Sequence, residues 1–213
     1  MDKRLLLLGA GGHCRSVIDS IDRAKYSDII IIDKTEMVGK NVYDIPVVGT
    51  DSDIGNYYSM GYQQAFITLG SIGNPVKRIK LYCMLKNIGF SFPSIIDQSA
   101  IISPSIGEVG EGVFIGKGVI INTGVKIGSC AIINSGAIID HDCEIGQFAH
   151  IAPGVRMSGG IKVQDNVHIG VGSSIIQSIT IGKNAIIGAG SVVISDIADD
   201  VTAIGVPCKE RSL

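Results

Sequence analysis

The chain carries no tryptophan, only 5% aromatic residues, six prolines and four histidines among its 213 residues. A core built on large aromatic side chains is thereby excluded. Neither sign of charge dominates: 18 Lys and Arg face 20 Asp and Glu, for a net charge of -2. That balance leaves no electrostatic footprint for nucleic acid or for an anionic membrane surface. No apolar run approaches a membrane-spanning length. The apolar start Met1–Leu8 is too short for a span or a signal peptide before it meets a glycine turn. The five cysteines, Cys14, Cys83, Cys130, Cys143 and Cys208, contain no CxxC pair and are odd in number. Reduced thiols in a cytoplasmic protein are the expectation.

What the chain has in quantity is glycine, 28 residues, and small aliphatics. They are periodic. From Val109 the sequence falls into fifteen consecutive sixes, beginning VGEGVF, IGKGVI, INTGVK and ending IGAGSV, VISDIA. Two further units start at Ile96 and Ile102 and join after one extra residue, Glu108. The first position of each hexad is Ile, Val or Met, and the fifth is small or β-branched, as at Val113, Ala131, Cys143 and Ala185. A period of six is neither helical nor simple strand alternation. It describes a short strand and a corner, repeated, with three sides closing one coil of 18 residues. First-position aliphatics then stack inside a prism, and each coil is buried only by its neighbours.

Residues 1–92 read differently from residues 93–213, so the chain is divided there into two domains. Lys3–Leu8, Ile29–Ile32 and Ala65–Leu69 read as strands; Ser16–Arg23 and Asn74–Asn87 read as helices, the latter with Pro75 at its start. This is an α/β Rossmann-like unit with a parallel sheet. Its first connection, Gly9-Ala10-Gly11-Gly12-His13, resembles a dinucleotide turn but has Cys14 where the third glycine belongs. Backbone N–H groups at a turn that opens a helix favour phosphate; tight strand-to-helix packing is the alternative use of the same glycines.

The prism carries the candidate chemistry. Histidine is the natural base near neutral pH. His141 occupies the third position of hexad IDHDCE, where a side chain can point outward, and Asp142 follows it. A carboxylate beside an imidazole orients it and raises its basicity. Gly159 lies 18 residues on, one coil away, where a backbone N–H can stay open. Cys143, at an inward fifth position, is not expected to act as a nucleophile. His150 and His168 are also one coil apart, but no further ligand completes a metal spacing, so no metal is expected. His141 and His150 differ by nine residues, half a coil, which puts them on opposite sides of one prism.

The hexads, the GxGGH turn and the His141-Asp142-Cys143 segment together resemble the hexapeptide-repeat sugar acetyltransferases of the NeuD/PglD type, over nearly the whole chain. The resemblance implies a left-handed parallel β-helix, a homotrimer and acetyl-CoA as co-substrate. His141, Asp142 and Asn134 match its catalytic residues, with Asp142 where some members have Glu. His150 matches a residue near the acetyl group, so His141 meets it only across a subunit interface. Gly159, Val171, Ala189 and Lys209 match coenzyme A contacts, Lys209 within a tail resembling GxPAK. Gly9, Gly11, Gly12, His13, Asp33, Lys34 and Gly70 match the part that holds the nucleotide of a sugar nucleotide. The implied activity is N-acetylation of an amino sugar, UDP-linked by expectation, for bacterial surface glycans. O-acetylation of sialic acid is the rival within the family, and a non-catalytic β-helix scaffold is the rival outside it.

Overall fold

The computed structural model describes residues 3–211; Met1 and Asp2 of the apolar start and the final Ser212 and Leu213 lie outside the described residues. Contacts divide the chain into two units, Met1–Gly70 with Val76–Ile95, and Ser71–Pro75 with Ile96–Leu213. The short segment Ser71–Pro75 therefore interrupts the first unit in sequence while packing with the second. Among the described residues, no helix is long and apolar enough to cross a membrane.

The first unit is built on a five-stranded sheet of order β3-β4-β2-β1-β5, with β1 Arg4–Leu8, β2 Asp28–Ile32, β3 Asn41–Val42, β4 Ile45–Gly49 and β5 Gln64–Ile67. Leu5 to Leu8 and Ile30 to Ile32 are buried, as strands covered on both faces require. β1 pairs in parallel with both β2 and β5, and β2 with β4. The sheet departs from the purely parallel expectation at its edge. β3 runs antiparallel to β4 because only Tyr43 and Asp44 separate them, and Tyr43 takes the left-handed conformation such a tight turn needs (φ 55°). Helix α1 spans Gly12–Ser20, α2 Ile54–Ser59 and α3 Val76–Ile88. α1 starts four residues before the sequence reading places it, directly on the glycine turn.

The second unit is the left-handed parallel β-helix. Its strands are mostly two residues long and pair in parallel every 18 residues. Face one carries the register Ile132, His150, His168, Ile186; face two Ile138, Arg156, Ser174, Val192; face three Lys126, Glu144, Lys162, Thr180. First-position side chains such as Ile133, Ile139, Ile145, Ile151 and Met157 are buried, and so are the fifth-position Ala137, Cys143, Ala149 and Val155. Stacked aliphatics of this kind make the coils mutually dependent. The fourth position of each hexad from Gly112 to Gly190 turns the corner at positive φ. Glycine fills that conformation most cheaply, yet Cys130, Asp142, Phe148, Asn166, Ser178 and Asn184 also adopt it. The chain ends in a hairpin in which Thr202–Ile204 pairs antiparallel with Lys209–Arg211.

Candidate functional site

Two corners of the prism matter. The corner between faces two and three holds His141, Asp142 and Gly159. His141 Nδ1 lies 2.9 Å from Asp142 Oδ2, so Nδ1–H donates to the carboxylate and leaves Nε2 as the basic nitrogen. This contact, with further help from the Asp140 and Asp142 charges, holds the imidazole above the ordinary histidine value of 6.5. Asp142 reaches the ring because its backbone is left-handed (φ 59°), a conformation Asp tolerates better than most residues.

Glycines bracket this pair from both neighbouring coils. A Cβ built on Gly159 would lie 2.5 Å from His141 Nε2 and Cε1, and one on Gly124 would lie 2.4 Å from Asp142 Oδ1. The imidazole thus lies directly over Gly159, one coil on. The Gly159 N–H has no hydrogen-bond partner among the described residues, whereas the N–H groups of Ser135 and His141, at the same hexad position, are taken by Asn134 and Asp140 side chains. Gly159→Ala should therefore displace the ring. The expected loss in kcat is roughly 10–10²-fold, with little change in melting temperature; steady-state kinetics beside a thermal melt checks it.

Asn134, Val171 and Ala189 lie at the other corner, between faces one and two, with His150 beginning a strand of face one. Asn134 Nδ2 approaches His150 Nε2 at 3.4 Å. His150 Nδ1 lies 2.6 Å from the Ser71 carbonyl oxygen. A carbonyl only accepts, so the ring is protonated at Nδ1, and Nε2 receives the Asn134 amide. The His168 ring meets the His150 ring edge to face, with centroids 4.9 Å apart and planes at 71°, and burial lowers the His168 pKa. Val171 and Ala189 are exposed. Lys209 is exposed on the terminal hairpin. Within one chain, face two separates this group from His141, and face one, which carries His150, is the side of the triangle opposite the His141 corner. Cys143 is fully buried, its thiol pushed up by that burial, with Sγ 3.2 Å from the Ser158 oxygen.

In the first unit, Gly9, Asp33 and Lys34 line a cleft of about 740 Å³ at the carboxyl ends of the strands, together with Thr50 and with Lys77 and Lys80 of α3. Open α/β sheets bind ligands at this place. Asp33 is partly committed already. Its oxygens accept the backbone N–H of Ala10 and, at 2.6 Å, that of Lys34. Gly9 is required by the chain's own packing, since its φ is 111° and a Cβ would lie 2.6 Å from Leu69 Cδ2. Gly11 and Gly12 differ: a Cβ on either would meet nothing within 4 Å. Gly11, Gly12, His13 and Gly70 lie beside the cleft's glycine turn without lining the cleft itself. Cys14 is buried, and its thiol is pushed up to about 11, so it fills space behind the turn. The sequence reading missed Thr50, Lys77, Lys80, Gly124, Asp140 and Ser71. Lys77 and Lys80, three apart near the start of a predicted helix, were the detectable signal.

Comparison with known proteins bears on the family and the fold. Residues 4–85 match the model for the PglD N-terminal domain, and residues 108–141 and 160–195 match that for the hexapeptide repeat of succinyl-transferase. No curated protein sequence matches. Among solved structures, PerB from Caulobacter crescentus, in complex with CoA and GDP-perosamine, is 38% identical over 98% of this chain and 97% of that one, with a TM-score of 0.90. The acetyltransferase domain of PglB from Neisseria gonorrhoeae is 29% identical over 99% of this chain and all of that one, TM-score 0.90. WeeI from Acinetobacter baumannii is 25% identical over 98% and 100%, TM-score 0.85. With a Rossmann-like turn, an unbroken hexapeptide prism and a 38% identical relative spanning both, the chain belongs to the PglD/NeuD-type sugar acetyltransferases.

Proposed function

We propose that the chain transfers the acetyl group of acetyl-CoA to the amine of a nucleotide-linked amino sugar, in the cytoplasm, as a step in bacterial surface-glycan biosynthesis. The observation that carries this reading is the His141-Asp142 pair lying over the unpartnered N–H of Gly159. His141 Nε2 takes a proton from the acceptor amine as its nitrogen bonds to the thioester carbon. The Gly159 N–H donates to the carbonyl oxygen as charge develops there. The C–S bond then breaks, the departing sulfur takes the proton held by His141, and coenzyme A leaves as its thiol. Buried Cys143 takes no part, so no acyl-enzyme forms. Val171, Ala189 and Lys209 would hold coenzyme A along their edge of the prism, Lys209 as a point charge near phosphate.

Three lysines in the first unit's cleft, Lys34, Lys77 and Lys80, and the opening N–H groups of α1 suit a diphosphate. Nothing in the chain itself demands glycine at Gly11 or Gly12, which supports a ligand backbone approaching there. The sequence expectation of a UDP link gives way to a GDP link as the first to test, because PerB was crystallised with GDP-perosamine. Sialic acid O-acetylation is disfavoured by a relative described as a perosamine N-acetyltransferase. A non-catalytic scaffold has no use for the bracketed His-Asp pair. His141 and His150, on opposite sides of one prism, come together in our reading across the interfaces of a homotrimer.

A thiol-release assay over GDP-, UDP-, dTDP- and CMP-linked amino sugars and free sialic acids tests the activity; turnover confined to sialic acid hydroxyls would replace it. Gly12→Val should raise the acceptor KM roughly tenfold and leave the acetyl-CoA KM unchanged. Equal loss toward both substrates would indicate a folding defect instead.

A further inference from the structure

We propose that Asp140, braced by Asn122, is a positioning residue for the His141 base. The proposal rests on the reading of His141 as that base. Asp140 Oδ1 accepts two hydrogen bonds at 2.8 Å, one from the His141 backbone N–H and one from Asn122 Nδ2. Asn122 stands one coil earlier at the same hexad position, and its Oδ1 takes the Thr123 N–H at 2.8 Å. It is thus fixed at both ends, and it passes that fixity to the carboxylate above it.

The repeat explains how Asp140 differs from its counterparts. At Asn122 and Asn134 a neutral amide oxygen caps the N–H of the third-position residue. The cap needs a side-chain oxygen and no charge. Asp140 supplies the same cap and adds an anion beside the imidazole. Its two donors, the His141 backbone first and Asn122 second, hold its carboxyl below the ordinary range, so it is ionised wherever the base works. Asp140 and Asp142 are the charged groups facing His141 among the described residues. The coil before contributes Asn122, Thr123 and Gly124, and the coil after contributes Ser158, Gly159 and Gly160, none of them charged. The division of labour follows. Asp142 grips the ring at Nδ1, while Asp140 grips the backbone that carries the ring and sets the field around it.

The two roles separate in variants. Asp140→Asn keeps an oxygen for the cap and removes the charge; Asp140→Ala removes both. The measurement is the pH profile of kcat/KM, with kcat on the plateau, for both variants, with His141→Ala and wild type as references. For Asp140→Asn the rising limb should move to lower pH, with plateau kcat within about threefold of wild type. For Asp140→Ala the limb should move the same way, and plateau kcat should fall roughly tenfold with both KM values unchanged. Melting temperature and acetyl-CoA binding establish that each variant is folded. Should Asp140→Ala melt early, Asn122→Ala takes its place, with an expected plateau loss of about two- to fivefold. An inactive His141→Ala beside unchanged Asp140 profiles would overturn the positioning role alone. So would an Asp140→Asn plateau as low as that of Asp140→Ala. A fully active His141→Ala would overturn the base assignment beneath it.

Discussion

His141→Ala should lower kcat by roughly 10²–10⁴-fold and leave the fold intact. The size of the effect follows from geometry. The imidazole is a surface group, its side chain 56% exposed, so nothing in the prism core depends on it. It is nonetheless held on three sides: by Asp142 at Nδ1, by Asp140 at its backbone, and by the bare face of Gly159 beneath the ring. The base form is the neutral ring. Because Asp142 and the nearby charges raise its pKa, kcat/KM should climb with pH through a value above that of ordinary histidine and then level off. Removing the Asp142 carboxylate with Asp142→Asn should move that climb to lower pH. Stopped assays from pH 5 to 9, with acetyl-CoA binding measured in parallel, decide the matter. Near wild-type turnover across that range would remove His141 from the mechanism.

Activity should return when two dead chains are mixed. If His141 of one subunit works against His150 of the next, His141→Ala and His150→Ala homotrimers are each inactive. A directional ring assembled from both chains contains one interface with neither lesion. Random reassembly from equal amounts gives about three-quarters mixed trimers with one intact site in three, hence about a quarter of wild-type activity. Unfolding, mixing and refolding the two proteins, with mass-verified heterotrimers, measures it. No recovery in verified mixed trimers, or an active isolated monomer, would rule out the shared site.

The sequence made the prism legible because its period is carried by many residues at once. Ile133, Ile139 and Ile145 each repeat the same instruction, and the 18-residue coil then places Gly159 under His141 by arithmetic. The same arithmetic put His150 and His168 in one column, where their rings meet. Legibility failed where no period connects the partners. Ser71 and His150 lie 79 residues apart, and nothing in the loop after β5 announces that it packs with the prism. Local patterning resolves no element between Lys34 and Gln64. β4 contains Pro46 and closes on Gly49, β3 is two residues long, and α2 is a turn and a half, all below what local patterning resolves. Two of the cleft lysines, Lys77 and Lys80, were hidden for a related reason. Lys34, Lys77 and Lys80 converge through the sheet, not through spacing. Asp140 escapes notice because Asn122 and Asn134 hold the same hexad position in nearby coils, which makes an Asx there read as an ordinary corner residue.

The anchor of His150 is a carbonyl of the main chain, and this determines what genetics can see of it. Ser71 is buried, and exchanging its side chain for another small one leaves the oxygen in place, so an alanine at position 71 should score as nearly silent. The constraint falls instead on length. The run from Gly70 to Val76 must deliver one particular peptide unit to the imidazole, and a single inserted or deleted residue would withdraw it. An insertion or deletion between β5 and α3 should therefore cost this contact more than a small-for-small exchange at position 71.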